Sequence, residues 1–190
     1  MDAFVTDLLG KMTLEEKIGQ LNLLSTGFDV TGPVASENVE ESVRNGLAGG
    51  VFNLYTPALV RKLQELAVGQ SRLHLPLLFG YDVIHGHKTI FPIPLALACT
   101  WNLELSEKSA RVAATETSAE GANWTFSPMV DIARDPWWGR IAEGAGEDPY
   151  LGGLIARAMV RGYQGDDLAR SNAVLACVKH FALYGRCSCT

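Results

Sequence analysis

Ala48-Gly-Gly-Val-Phe-Asn-Leu-Tyr55, followed at once by Thr56-Pro57 and then by Leu59, Val60, Leu63, Leu66 and Ala67, decides the fold class. The first eight residues are short, apolar and β-prone, which predicts a buried strand. Thr56 supplies an N-cap. Pro57 suits the first position of a helix, where an N–H would have no intrahelical partner, and the five apolar residues beyond it form one helical stripe. A strand that passes directly into an amphipathic helix is the unit from which parallel sheets are built.

The pattern recurs toward the C-terminus. Leu75-Pro-Leu-Leu-Phe-Gly-Tyr81 predicts a second buried strand, and after a loop from Asp82 to Trp101 a helix runs from an Asn102 cap to about Glu120. Trp124 to Val130 predicts a third strand, Asp148-Pro149 a capped helix to about Arg161, and Asn172 to Val178 a fourth strand. Toward the N-terminus, Thr13-Leu-Glu-Glu16 is a capping box that predicts a helix through about Leu24. Ser25 to Pro33 reads as loop, and Ser36 to Asn45 as a helix ended by Gly46. Apolar strands alternating with helices leave two architectures open, a doubly wound sheet and a (β/α)8 barrel. No G-x-G-x-x-G follows any strand, which counts against a dinucleotide-binding sheet.

The chain has 190 residues, 47% apolar and 19% charged, enough for a real core, and its net charge of −5 gives no electrostatic footprint for nucleic acid or an anionic membrane surface. No apolar run approaches the roughly twenty residues that cross a bilayer, and from the amphipathic start, which has no basic stretch followed by an apolar one, no export signal is expected. Cys99 and Cys177 sit singly in apolar surroundings and read as small buried hydrophobes. Cys187 and Cys189 form a C-x-C that reads as part of an exposed tail.

In parallel β/α architectures, function collects at the carboxyl ends of the strands. Here those ends carry Tyr81-Asp-Val-Ile-His-Gly-His87, then Asp131 and the dense stretch Arg134-Asp-Pro-Trp-Trp-Gly-Arg140 with Glu143, Glu147 and Asp148, then Lys179-His180. Asp82 can accept two hydroxyl hydrogen bonds, while Arg140, Lys179 and His180 can donate to others, a set that fits a polyol such as a sugar ring. Trp137 and Trp138 offer apolar faces for its C–H surface, with simple packing the competing reading for one of them. Asp82-x-x-His85-x-His87 also has the look of a zinc loop, but no further ligand cluster accompanies it, so no metal is expected.

Taken together, Tyr81-Asp82-Val-Ile-His85-Gly86, Arg134-Asp135-Pro136-x-Trp138-Gly139-Arg140 with Glu143, Gly146-Glu147-Asp148-Pro-Tyr-Leu151, and Val178-Lys179-His180-Phe181 resemble the N-terminal barrel of glycoside hydrolase family 3, in particular its bacterial periplasmic-type β-glucosidases. The similarity runs from about Asp2 to Gly185. It implies an α/β fold, the first half of a (β/α)8 TIM-type barrel with about four β/α units. It implies removal of non-reducing-end β-D-glucose with retention, on a β-glucoside or oligosaccharide and without a cofactor. By position, Asp82, Arg140, Lys179 and His180 would bind substrate, with Trp137 and Trp138 as subsite walls.

Retaining hydrolysis needs two carboxyl groups about 5 Å apart. In the family the nucleophile is an aspartate on a later barrel strand and the acid/base lies in a second domain, and neither setting occurs in these 190 residues. The expectation is therefore an incomplete barrel domain over residues 1–190 with a divergent tail at 186–190. It would carry no catalytic residue, be inactive alone, and be prone to self-association through open barrel edges. A sugar-binding or regulatory half-domain is the alternative, and a metal-dependent barrel hydrolase a more distant one. The full-length protein is expected to be periplasmic or secreted by resemblance alone.

Overall fold

The computed structural model describes residues 2–26, 38–181 and 184–186. The chain divides into two compact units, Met1–Gly80 and Tyr81–Thr190.

The first unit begins with helices α1 (Ala3–Lys11) and α2 (Leu14–Gly19). The Thr13 capping box forms as the sequence predicts: Glu16 N–H donates to the Thr13 hydroxyl and Thr13 N–H donates to the Glu16 carboxylate. The helix does not continue to Leu24. It stops at Gly19, and Leu23–Ser25 forms strand β1, paired parallel with β2 (Gly50–Phe52). Tertiary pairing overrides the helical spacing here. Leu24 is buried in the core while Ile18 and Leu21 face outward, so the apparent stripe never was one buried face.

Helix α3 (Val39–Arg44) ends at Gly46, which takes a positive φ, as the sequence indicates. Part of the predicted Ser25–Pro33 loop and the start of the predicted Ser36 helix lie outside the described residues. Helix α4 (Pro57–Gln70) starts on Pro57, although the Thr56 side chain makes no cap hydrogen bond, and it buries Val60, Leu63, Leu66 and Ala67 while Leu59 stays exposed. Strand β3 (Leu78–Tyr81) pairs parallel with β2, and Val51 and Phe79 join the α4 residues in one core.

In the second unit, Tyr81 at the end of β3 accepts the Phe126 N–H, next to strand β4 (Trp124–Thr125), so the strands follow sequence order β1-β2-β3-β4. The predicted loop between Asp82 and Trp101 contains a short helix, α5 (Pro94–Ala98), again with proline in its first turn. Helix α6 (Leu103–Ala119) is capped by Asn102, and α7 (Pro149–Gln164) by Asp148, whose carboxylate accepts from Tyr150 N–H and Leu151 N–H. These two helices pack closely because their facing residues are small: a Cβ on Gly162 would stand 2.4 Å from the Glu107 carbonyl oxygen. Ala110, Ala113, Ala114, Ile155, Met159, Tyr163, Val83 and Val174 form the core beneath.

The predicted fourth strand is not continuous. Residues 175–179 touch residues 123–130 through two isolated parallel bridges, Trp124 with Leu175 and Met129 with Lys179. Between them lies Pro128, which has no N–H to offer a ladder. Cys99 is exposed and Cys177 half-buried, so neither is the buried hydrophobe that its neighbours in sequence suggest. Cys187 and Cys189 lie outside the described residues.

Candidate active site

All side chains of the candidate site belong to the second unit. Lys179 is only 9% exposed, and a cation so buried requires a counter-charge. Asp82 provides it, accepting from the Lys179 ammonium at 2.7 Å through Oδ2. Asp82 directly follows β3 and Lys179 lies on the bridge to Met129, so two strand ends bring the pair together.

His180 is the next residue. Its backbone N–H and its Nδ1 both face Asp131 Oδ2, at 3.2 and 2.8 Å. An ionised carboxylate only accepts, so Nδ1 carries the proton, and the lone pair on Nε2 accepts from Arg140 at 3.1 Å. The Arg140 fork closes on Glu143, with both oxygens at 2.5 Å. That guanidinium holds the Glu143 carboxyl below the usual carboxylate range, against the opposing effect of burial, and Glu143 in turn raises the Arg140 pKa. The two partners are three residues apart because Ile141–Glu143 forms a 3₁₀ turn. The Tyr184 ring lies 4.7 Å from the His180 ring and 5.4 Å from the Arg140 guanidinium carbon. A cavity of about 210 Å³ adjoins them, lined by Val130, Asp131, Ile132, Arg134, His180 and Tyr184.

Among the described residues, three Arg140 N–H groups go to Glu143 and His180 and one Lys179 N–H goes to Asp82, a bond that occupies only Oδ2 of that carboxylate. Donors and acceptors thus stand side by side, each already oriented by an internal partner.

Of the residues singled out in the sequence, Asp82, Lys179, His180 and Arg140 are brought together. The two tryptophans part company. Trp138 is buried against Met129 and Ala133, with its ring edge-on to Tyr184, whereas Trp137 is 86% exposed and its N–H is tied to the Asp135 carboxylate. The zinc-like loop does not converge: Asp82 faces Lys179, His85 Nδ1 meets the Phe91 carbonyl and His87 Nε2 meets Glu120. Among the described residues no group of three such side chains could hold a metal ion. Asp131, Glu143 and Tyr184 were given no role by the sequence. The i, i+3 spacing of Arg140 and Glu143 is the one signal that could have found a pair.

Residues 13–190 match the family described as glycosyl hydrolase family 3 N terminal domain. The chain belongs to glycoside hydrolase family 3. Its family 3 relatives include the periplasmic β-glucosidase of Salmonella typhimurium, 48% identical over 184 residues, covering 97% of this chain and 24% of that protein. Among solved family 3 structures, the β-glucosidase of Listeria innocua in complex with isofagomine superposes with a TM-score of 0.85 at 44% identity, covering 97% of this chain and 26% of that one. A mutant of the same enzyme, in complex with laminaribiose, gives 0.84 at 42% identity. The parallel four-stranded α/β fold therefore matches the N-terminal barrel half of family 3 β-glucosidases, and the chain spans about a quarter of the length of the relatives it matches. Among the described residues, no helix is long and apolar enough to cross a membrane.

Proposed function

We propose that this chain forms the sugar-gripping part of a β-glucosidase, in which Asp82, Arg140, Lys179 and His180 hold the hydroxyls of a terminal β-glucosyl unit of a β-glucoside or oligosaccharide. The observation that carries this reading is the Asp82 carboxylate, which meets Lys179 through Oδ2 and whose Oδ1 takes no other bond among the described residues, while Glu143 and Asp131 fix the geometry of Arg140 and His180. A sugar ring presents hydroxyls that both donate and accept, and such a rim meets both demands without a net change in charge. Trp137 is the open apolar face of the two tryptophans, and Trp138 supports Tyr184 from below.

In this reading the longer protein removes β-linked glucose with retention and acts in the periplasm or outside the cell. Retention calls for two carboxyl groups about 5 Å apart and free to react. Here Asp82, Asp131 and Glu143 are each engaged with a cation or imidazole, so the 190-residue chain binds sugar without cleaving a glycosidic bond. No cofactor takes part.

The test is titration calorimetry of the purified chain with glucose and with isofagomine, alongside an assay for p-nitrophenol release from its β-glucoside. Binding that disappears in Asp82→Ala, with no p-nitrophenol released, is the expected outcome. Turnover by the wild-type chain, or binding indifferent to Asp82, would overturn the reading.

A further inference from the structure

Asp82 faces Lys179 through Oδ2, and its side chain is 40% exposed, so its own packing does little to hold it. Its orientation must come from the backbone on either side. On the C-terminal side lies a tight hairpin: Gly86 N–H donates to the Val83 carbonyl at 3.1 Å, and Phe91 N–H donates to the His85 carbonyl at 2.8 Å. There is no slack at the turn, where Gly86 has φ +121 and an added Cβ would sit 2.0 Å from the Thr89 carbonyl oxygen.

The tip of this hairpin is fastened to the C-terminal part of α6. Glu116 accepts three hydrogen bonds there, from Lys88 N–H and Thr89 N–H at 2.8 Å each and from the Thr89 hydroxyl at 2.6 Å. One turn on, Glu120 meets His87 Nε2 at 3.1 Å and the Lys88 ammonium at 2.9 Å. The His87 side chain is 4% exposed, and its ring stands edge-on to the Tyr81 ring at 5.2 Å, directly before Asp82 in the chain. The clamp therefore reaches Asp82 from both sides, through Tyr81 and through Val83.

We infer that Glu116 and His87 are positioning residues for Asp82: α6 fastens the 85–91 hairpin, and the hairpin sets the Asp82 carboxylate opposite Lys179. The consequence for sugar binding rests on the function proposed above, but the geometry of the Asp82 and Lys179 pair does not.

Two readouts separate these. In labelled protein, the Asp82 carboxyl ¹³C shift at neutral pH reports its pairing with Lys179, and calorimetry with isofagomine reports the site. Glu116→Ala should move the Asp82 signal and weaken isofagomine by about ten-fold, the effect expected from losing hydrogen bonds to a charged acceptor. Glu104→Ala, on the same helix but with its carboxylate on exposed Lys108, should change neither. If the Ala variant does not fold, Glu116→Gln keeps the shape and one acceptor and should give the same changes in weaker form. An Asp82 signal identical to wild type in the variant that folds overturns the inference. Wild-type protein that fails to bind isofagomine would sink the sugar-site reading instead, and the Asp82 signal alone then decides the positioning role.

Discussion

Tyr163→Phe removes one oxygen from the middle of the second unit, and its cost can be worked out from its two neighbours. The phenol lies 3.0 Å from the Ser127 hydroxyl and donates a longer bond, 3.4 Å, to the Val83 carbonyl. Val83 also accepts from Gly86 N–H, so its carbonyl stays satisfied when the phenol goes. Ser127 is wholly buried, and its hydroxyl has no second partner among the described residues. Leaving one buried hydroxyl unpaired costs about 1–3 kcal/mol, which sets the expected loss for Tyr163→Phe at about 1–2 kcal/mol once the more apolar ring is credited. Adding Ser127→Ala removes the orphaned hydroxyl, so the double variant should lose less than the sum of the two single ones, by about 1 kcal/mol. Burial also pushes the Tyr163 phenol up to about 12. A folded-state value raised above the unfolded value of about 10 leaves stability intact below pH 10 and drains it as pH rises toward 12; the Phe variant lacks that contribution. Urea denaturation of the four proteins of the cycle, followed by far-ultraviolet circular dichroism, measures all of this. Strict additivity of the two substitutions, or an unchanged midpoint for Tyr163→Phe, would refute the pairing of the Tyr163 and Ser127 hydroxyls.

Gly162→Ala forces a Cβ against the Glu107 carbonyl and the Ala110 methyl at the crossing of α6 and α7, and should lower stability by about 1–3 kcal/mol in thermal denaturation. Arg140→Lys cannot reproduce the two-pronged bond to Glu143 and the third bond to His180, so isofagomine binding should weaken about ten-fold or more, as read by calorimetry. Arg140 holds the Glu143 pKa below its ordinary value, so their bond is fully present above about pH 4.3 and is lost only as pH falls through the lower folded-state value; sugar affinity should hold from neutrality down past about pH 4.3 and fall only in more acid solution. Leu14, Ile18 and Leu21 are all more than half exposed on the first unit, which should make the chain self-associate, with light scattering that rises with concentration and falls in Leu21→Lys.

The sequence was legible where a residue acts through its own backbone. Thr13, Asn102 and Asp148 cap helices, and prolines 57, 94 and 149 all stand in first turns, although the helix at Pro94 has five residues and shows no periodicity in the sequence. Strand β1 was hidden for the opposite reason: three residues become a strand only through their pairing with Gly50–Phe52. At the site, residue types and strand ends pointed to Asp82, Lys179, His180 and Arg140. Which acid holds which base, and which of two adjacent tryptophans is buried, depend on chain segments far apart in sequence, and no local pattern encodes that.

One feature of the rim reaches beyond its hydrogen bonds. Three of its groups already face an acid: Lys179 with Asp82, Arg140 with Glu143, His180 with Asp131. A neutral guest entering such a place neither draws in nor displaces ions from the surrounding solution. Affinity should then be nearly indifferent to added salt, because the guest carries no charge for salt to screen and these three groups keep their own counter-charges whether it is bound or not.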